Sequence, residues 1–224
     1  MSTDWKSLQP ALALCPVIPV LTVRDVAHAA PLARALTNAG MSMLEVTLRT
    51  DCALEVIRRM AAAAPATLVG GGTALCAADI DAITDAGGSF IVSPGAPPAV
   101  LTAGAAAQVP LIPGVATVTE AMAARDGGFK FLKFFPAEPS GGTAVLKAFA
   151  APLADLVFCP TGGVSPENLA EYLALPNVVA VGGSWMVPDR LLAAGRFDEI
   201  EGLARAAVEL ARTLRAGGNP PARA

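Results

Sequence analysis

Phe131-Leu132-Lys133-Phe134-Phe135-Pro136 is a nearly unbroken apolar run with one ammonium group in its middle. A short run of this kind, rich in aromatics, reads as a strand buried on both faces, as in parallel sheets covered by helices. The charge inside it needs a reason. An amine withdrawn from water loses part of its preference for the charged form and becomes a nucleophile at neutral pH, which is how a Schiff-base lysine is made. The alternative is a strand lysine whose head reaches the rim and makes an ordinary ion pair.

Moving outward, similar β-like runs recur roughly every 20 to 25 residues. They are Val17-Leu21, Met43-Thr47, Thr67-Gly71, Phe90-Ser93, Leu111-Pro113, Phe131-Phe135, Leu156-Pro160 and Val178-Gly182. Between them lie Ala/Leu-rich stretches with helix signals. Asp25 precedes Val26-Ala39, Asp51 precedes Cys52-Ala64, and Ser165-Pro166 opens Glu167-Ala174. A further helix is expected from about Arg196 to Leu214. About eight apolar strands joined by crossover helices imply an α/β fold that closes into a (β/α)8 TIM barrel. No Ser/Gly-rich linker or composition shift divides the chain, so residues 1–224 read as one domain, with a short N-terminal helical extension and a tail that frays from about residue 216.

The 224 residues are 54% hydrophobic and 16% charged, enough for a large core. A net charge of -3, built from interspersed acids and bases, gives no basic block for nucleic acid. The N-terminus lacks the order of a signal peptide, and Pro10, Pro16 and Pro19 interrupt the apolar stretch after it, so the expectation is a cytoplasmic protein without membrane attachment. The four cysteines have no metal-site or redox-pair spacing, and His28 is the single histidine. A multi-histidine metal site and a Ser-His-Asp triad are therefore hard to build.

In a parallel barrel, functional groups gather at the carboxyl ends of the strands. Alternation in Met43-Leu44-Glu45-Val46-Thr47-Leu48-Arg49 puts Glu45, Thr47 and Arg49 on one face. Phe131, Lys133 and Phe135 share a face by the same parity, so Glu45 and Lys133 can meet across the lumen. Imine chemistry at Lys133 requires a proton carrier, and Glu45 is the candidate. Arg49 offers a planar fork for a carboxylate. Each of these also fits a structural ion pair. Gly70-Gly71-Gly72-Thr73 and Ser93-Pro94-Gly95 end the third and fourth strands, with Thr73 supplying a hydroxyl. Pro160-Thr161-Gly162-Gly163 and Gly182-Gly183-Ser184 end the seventh and eighth, where barrels commonly cradle phosphate.

Taken together, these motifs resemble the 2-keto-3-deoxy-6-phosphogluconate (KDPG) / 4-hydroxy-2-oxoglutarate aldolase family over nearly the whole chain. The resemblance rests on Leu44-Glu45-Val46-Thr47-Leu48-Arg49-Thr50, Gly70-Gly71-Gly72-Thr73, Ser93-Pro94-Gly95, Lys133-Phe134-Phe135-Pro136-Ala137-Glu138, Pro160-Thr161-Gly162-Gly163 and Gly182-Gly183-Ser184-Trp185. It implies a class I lyase of bacterial sugar-acid breakdown, the Entner-Doudoroff pathway, that is a homotrimer and uses neither metal nor cofactor. It implies that Lys133 forms the imine and Glu45 relays protons. Arg49 and Thr73, with backbone near Pro94, would hold the carboxylate beside Phe135, Thr161 a hydroxyl or phosphate, and Gly162, Gly163, Gly183 and Ser184 the phosphate. Gly-Gly-Gly-Thr stands where the family favours Gly-Ala-Gly-Thr, a change expected to cost at most about 0.5 to 1 kcal/mol. Two other readings fit the same residues: a phosphosugar isomerase or epimerase with Glu45 as carbon base, and a non-catalytic sugar-phosphate binder. Within the aldolase reading, the galactonate epimer and 4-hydroxy-2-oxoglutarate also remain open as substrates.

Overall fold

The computed structural model describes residues 4–217. The strands are Val17–Leu21 (β1), Met43–Thr47 (β2), Leu68–Gly72 (β3), Ile91–Val92 (β4), Leu111–Ile112 (β5), Gly114–Val115 (β6), Phe131–Phe134 (β7), Val157–Pro160 (β8) and Val181–Gly183 (β9). All pairings between them are parallel. They form a six-stranded sheet in the order β5-β4-β3-β2-β1-β9 and a three-stranded sheet in the order β6-β7-β8.

The fifth expected strand is two elements because Pro113 interrupts it. Proline has no N–H to give a ladder, so β5 pairs with β4 while β6 pairs with β7. The Pro113 carbonyl still accepts from Lys133 N–H at 2.9 Å, which ties the two sheets at that point. At the other seam Val179 N–H donates to the Phe158 carbonyl at 3.1 Å, and Thr161 bridges to Gly182.

Side-chain parity sorts the apolar residues into two sets. Val17, Leu44, Val46, Val69, Ile91, Leu132, Phe134 and Phe158 belong to one core with the helices, including Ala29–Asn38 (α2), Ala53–Ala63 (α3), Ala77–Asp85 (α4) and the final helix Phe197–Gly217. Ile18, Met43, Phe90, Val92, Ile112, Phe131, Val157, Cys159 and Ala180 form a second core on the opposite strand faces. Trp5, Leu8 and Leu12 join this inner set from a 3-10 turn over Trp5–Leu8 and the helix Gln9–Leu14 (α1), with the Trp5 ring 5.3 Å from that of Phe131. The expected N-terminal helical extension thus supplies apolar cover for the strands' inner faces.

Helix boundaries shift where local chemistry differs from the expectation. Asp25 does cap, its carboxylate accepting from Ala27 N–H at 2.8 Å, but a 3-10 turn over Val26–His28 precedes α2. Asp51 does not cap, because α3 starts after Cys52, which makes no side-chain cap bond. After β8 the chain makes a turn, and the helix begins at Leu169 and ends at Leu173, because Asn168 accepts from Ser165 N–H and donates to the Gly163 carbonyl. The final helix covers the expected span and runs on to Gly217, and the rest of the tail lies outside the described residues. The Gly71 departure has a packing reason: a β-carbon there would stand 2.4 Å from the side chain of Ile83 on α4.

Leu8 is 1% exposed within the inner core, so Leu8→Ala is expected to cost about 2 to 5 kcal/mol of unfolding free energy in a denaturant titration. A loss below about 0.5 kcal/mol, the size of an ordinary surface change, would contradict the covering role of that segment.

Candidate active site

Lys133 lies on β7, its Cα paired with Gly114 on one side and Cys159 on the other. Glu45 lies on β2, between Val20 of β1 and Gly70 of β3. The two residues belong to different sheets, and inward parity brings them together: Lys133 Nζ donates to Glu45 Oε1 at 3.1 Å. Their side chains are only 6% and 4% exposed. The ammonium also sits 5.3 Å from the centre of the Phe135 ring, within cation–π range.

The backbone opposite Glu45 is shaped for it. A β-carbon on Gly72 would fall 2.2 Å from Glu45 Oε1, so only glycine leaves the carboxylate its place beside the lysine. Thr73 follows with φ of 63°, a left-handed conformation that is costly for a β-branched residue and concentrates at functional sites. Thr47 is fully buried, and its hydroxyl bonds the Leu21 carbonyl at 2.9 Å and the Thr22 hydroxyl at 3.0 Å, fixing β2 against β1. Cys159 shares this interior. Burial pushes its thiol up to about 12, with Lys133 opposing the shift and Glu45 adding to it, so the sulfur stays protonated and inert.

A cavity of about 410 Å³ opens above the pair. Its lining includes Lys133, Phe135, Arg49, Thr161, Gly162, Gly163, Gly183 and Ser184, gathered from the carboxyl ends of four strands, β2, β7, β8 and β9. Gly162 and Gly163 adopt φ of 97° and 86°, a turn that side chains resist. This turn is stitched to the chain following the lysine strand. Ala137 N–H donates to the Thr161 carbonyl at 2.8 Å and Glu138 N–H to that of Gly162 at 3.0 Å, while the Tyr172 hydroxyl donates to the Glu138 carboxylate. Arg49 is exposed at the rim and has no ion-pair partner among the described residues.

The sequence reading therefore finds Lys133, Arg49, Phe135, Thr161, Gly162, Gly163, Gly183 and Ser184 around one cavity, with Glu45 bonded to its lysine. Thr73 and Pro94 follow β3 and β4 and are not among the residues lining it. Thr22, Arg24, Asp189 and Leu192 do line it, and sequence reasoning passed over them. A signal existed for two: Ile18, Val20, Thr22 and Arg24 continue the inward parity of β1, just as Glu45, Thr47 and Arg49 do for β2.

The family model for KDPG and KHG aldolase matches residues 8–203. The chain belongs to the KDPG and KHG aldolase family. Among its relatives, the KHG/KDPG aldolase of Escherichia coli K12 is 47% identical over 210 residues, covering 93% of this chain and 99% of that protein. The crystal structure of a Legionella pneumophila KDPG aldolase, with pyruvate captured as a covalent carbinolamine intermediate, superposes with a TM-score of 0.86 at 40% identity, covering 88% of this chain and 96% of that one. A Zymomonas mobilis ZM4 2-keto-3-deoxy-6-phosphogluconate aldolase with 3-phosphoglycerate gives 0.85 at 40% identity, covering 92% and 97%. The chain is accordingly an enzyme of the lyase class with the mostly parallel α/β fold of these aldolases.

In Gly72→Ala, the new methyl group is expected to drive the Glu45 carboxylate off the lysine, because a side-chain terminus yields more readily than backbone. A crystal structure of the variant should show the two atoms separated by more than about 4 Å, the outer limit of an ion pair. A pair still at hydrogen-bonding distance would refute the spatial role given to Gly72.

Proposed function

We propose that this chain is a class I aldolase that cleaves 2-dehydro-3-deoxy-6-phosphogluconate to pyruvate and D-glyceraldehyde 3-phosphate. The observation that carries the proposal is the buried pair of Lys133 and Glu45 at the floor of a cavity rimmed by Arg49 and by two glycine turns. The relatives' names supply the substrate, and the covalent pyruvate adduct in the Legionella relative supports the imine route.

Proton transfer from Lys133 to Glu45 across their hydrogen bond gives an amine and a carboxylic acid. The amine attacks the C2 ketone to form a carbinolamine, and Glu45 protonates the departing hydroxyl, releasing water and leaving an iminium. Glu45, again a carboxylate, takes the C4 hydroxyl proton through a water. The C3–C4 bond then breaks, its electron pair entering the iminium as an enamine while C4 leaves as the aldehyde of glyceraldehyde 3-phosphate. Glu45 returns the proton to C3, and addition of water to the resulting iminium releases pyruvate and restores the lysine. In this reading Arg49 and Thr73, with the backbone at Pro94, hold the carboxylate. Phe135 packs beside the pyruvyl carbons and Thr161 meets a hydroxyl. The N–H groups around Gly162, Gly163, Gly183 and Ser184 take the phosphate.

The same reading has the two sheets close into one eight-unit (β/α)8 barrel spanning a single domain, supported by the hydrogen bonds at both seams. It also has the chain act as a homotrimer in the cytoplasm. No helix among the described residues is long and apolar enough to cross a membrane. A second substrate is favoured by the family description, which names KHG aldolase beside KDPG aldolase. For 4-hydroxy-2-oxoglutarate the same imine steps apply, with glyoxylate as the leaving aldehyde. An isomerase would have no use for a lysine nucleophile, and a passive sugar-phosphate binder none for the buried pair.

A coupled assay of pyruvate release from KDPG, its galactonate epimer and 4-hydroxy-2-oxoglutarate is expected to give the highest kcat/KM for KDPG. Release from none of them would refute the proposal. Glu45→Gln is expected to slow proton exchange at the methyl group of pyruvate by roughly 100-fold or more, and unchanged exchange would remove Glu45 from its role.

A further inference from the structure

The glycine turns offer a phosphate only partial charges from N–H groups, and the cavity's cations are few. Lys133 is paired with Glu45, and Arg49 is the fork proposed for the carboxylate at the other end of the substrate. The one remaining cationic side chain among the lining residues is Arg24. Strand order explains where it stands. β1 lies between β2 and β9, with Val20 in register with Glu45 and Pro19 with Gly183. Arg24, just beyond the end of β1, is therefore flanked by the chain that carries Arg49 and by the Gly183-Ser184 turn.

Arg24 is exposed and makes no ion pair among the described residues. It also lines an adjoining cavity of about 290 Å³ with Asp25, His28 and Ala193, which gives its long side chain room to turn toward the turn or away from it. Asp189 lines both cavities as well. A dianionic phosphate at this mouth meets that carboxylate, and backbone N–H groups alone do not offset it.

We propose that Arg24 is the cation that neutralises the distal phosphate and sets the preference for phosphorylated over unphosphorylated 2-keto acids. This rests on the aldolase reading and deepens it by naming a specificity-determining side chain. A guanidinium fits phosphate oxygens two at a time, whereas an ammonium acts as a point charge. Arg24→Lys should thus retain part of the preference and Arg24→Gln lose it.

The test measures kcat/KM for KDPG and for 4-hydroxy-2-oxoglutarate in the unaltered chain and both variants, together with the Kd of inorganic phosphate by calorimetry. In Arg24→Gln the ratio of the two kcat/KM values is expected to fall by about 10-fold or more, and phosphate binding to weaken by a similar factor. In Arg24→Lys both should be intermediate. A ratio and a phosphate affinity each within about 2-fold of the unaltered chain in Arg24→Gln would overturn the inference. The phosphate titration needs no turnover, so it judges Arg24 even if the chain cleaves neither keto acid, an outcome that would count against the aldolase reading instead.

Discussion

The contact between Lys133 and Glu45 is the constraint on which the rest of the structure turns. It joins two sheets that share no regular strand pair, and it does so in the interior, where removing each ion from water costs several kcal/mol. Well-packed hydrophobic residues in place of such a pair are often neutral or stabilising by about 1 to 4 kcal/mol. Stability alone therefore gives no reason for it. The proposed reaction does give one, because its imine-forming steps need a proton donor and acceptor held in contact at the base of a solvent-reached cavity.

Much else in the fold serves to hold the contact. Gly72 leaves room for the carboxylate, the Thr47 hydroxyl anchors β2 to β1, and Lys133 N–H bonds the Pro113 carbonyl where the fifth strand breaks. The inner apolar set, with Trp5, Leu8 and Leu12, fills the space beneath, so neither charge has water behind it. Above, the Gly162-Gly163 turn is fixed to the residues following Phe135, and the Tyr172 hydroxyl holds the Glu138 carboxylate from behind. The phosphate end of the proposed site is thus mechanically continuous with the strand bearing Lys133.

The strand faces were legible in the sequence because period-2 alternation is a local property: Glu45 with Thr47, and Lys133 with Phe135, needed no tertiary information. The break at Pro113 was legible in principle, since a missing N–H forces it. What could not be read lay beyond the strand ends. Ser165-Pro166 carries a helix-start signal, yet the two hydrogen bonds of Asn168 close a turn there first. Thr22 and Arg24 follow the parity of β1 past its end, but Asp189 and Leu192 reach the cavity through loop path, which no local pattern encodes. The inner position of Trp5 and Leu8 is likewise a matter of docking, and a segment this short carries too little periodicity to announce it.

The most direct measurement is a borohydride trap. Incubating the chain with pyruvate and sodium borohydride should reduce an imine and add the mass of a reduced pyruvyl group, which peptide mapping should locate on Lys133. Lys133→Met should take up none. An unmodified Lys133 in a folded chain that still releases pyruvate from its substrate would contradict covalent catalysis at this nitrogen.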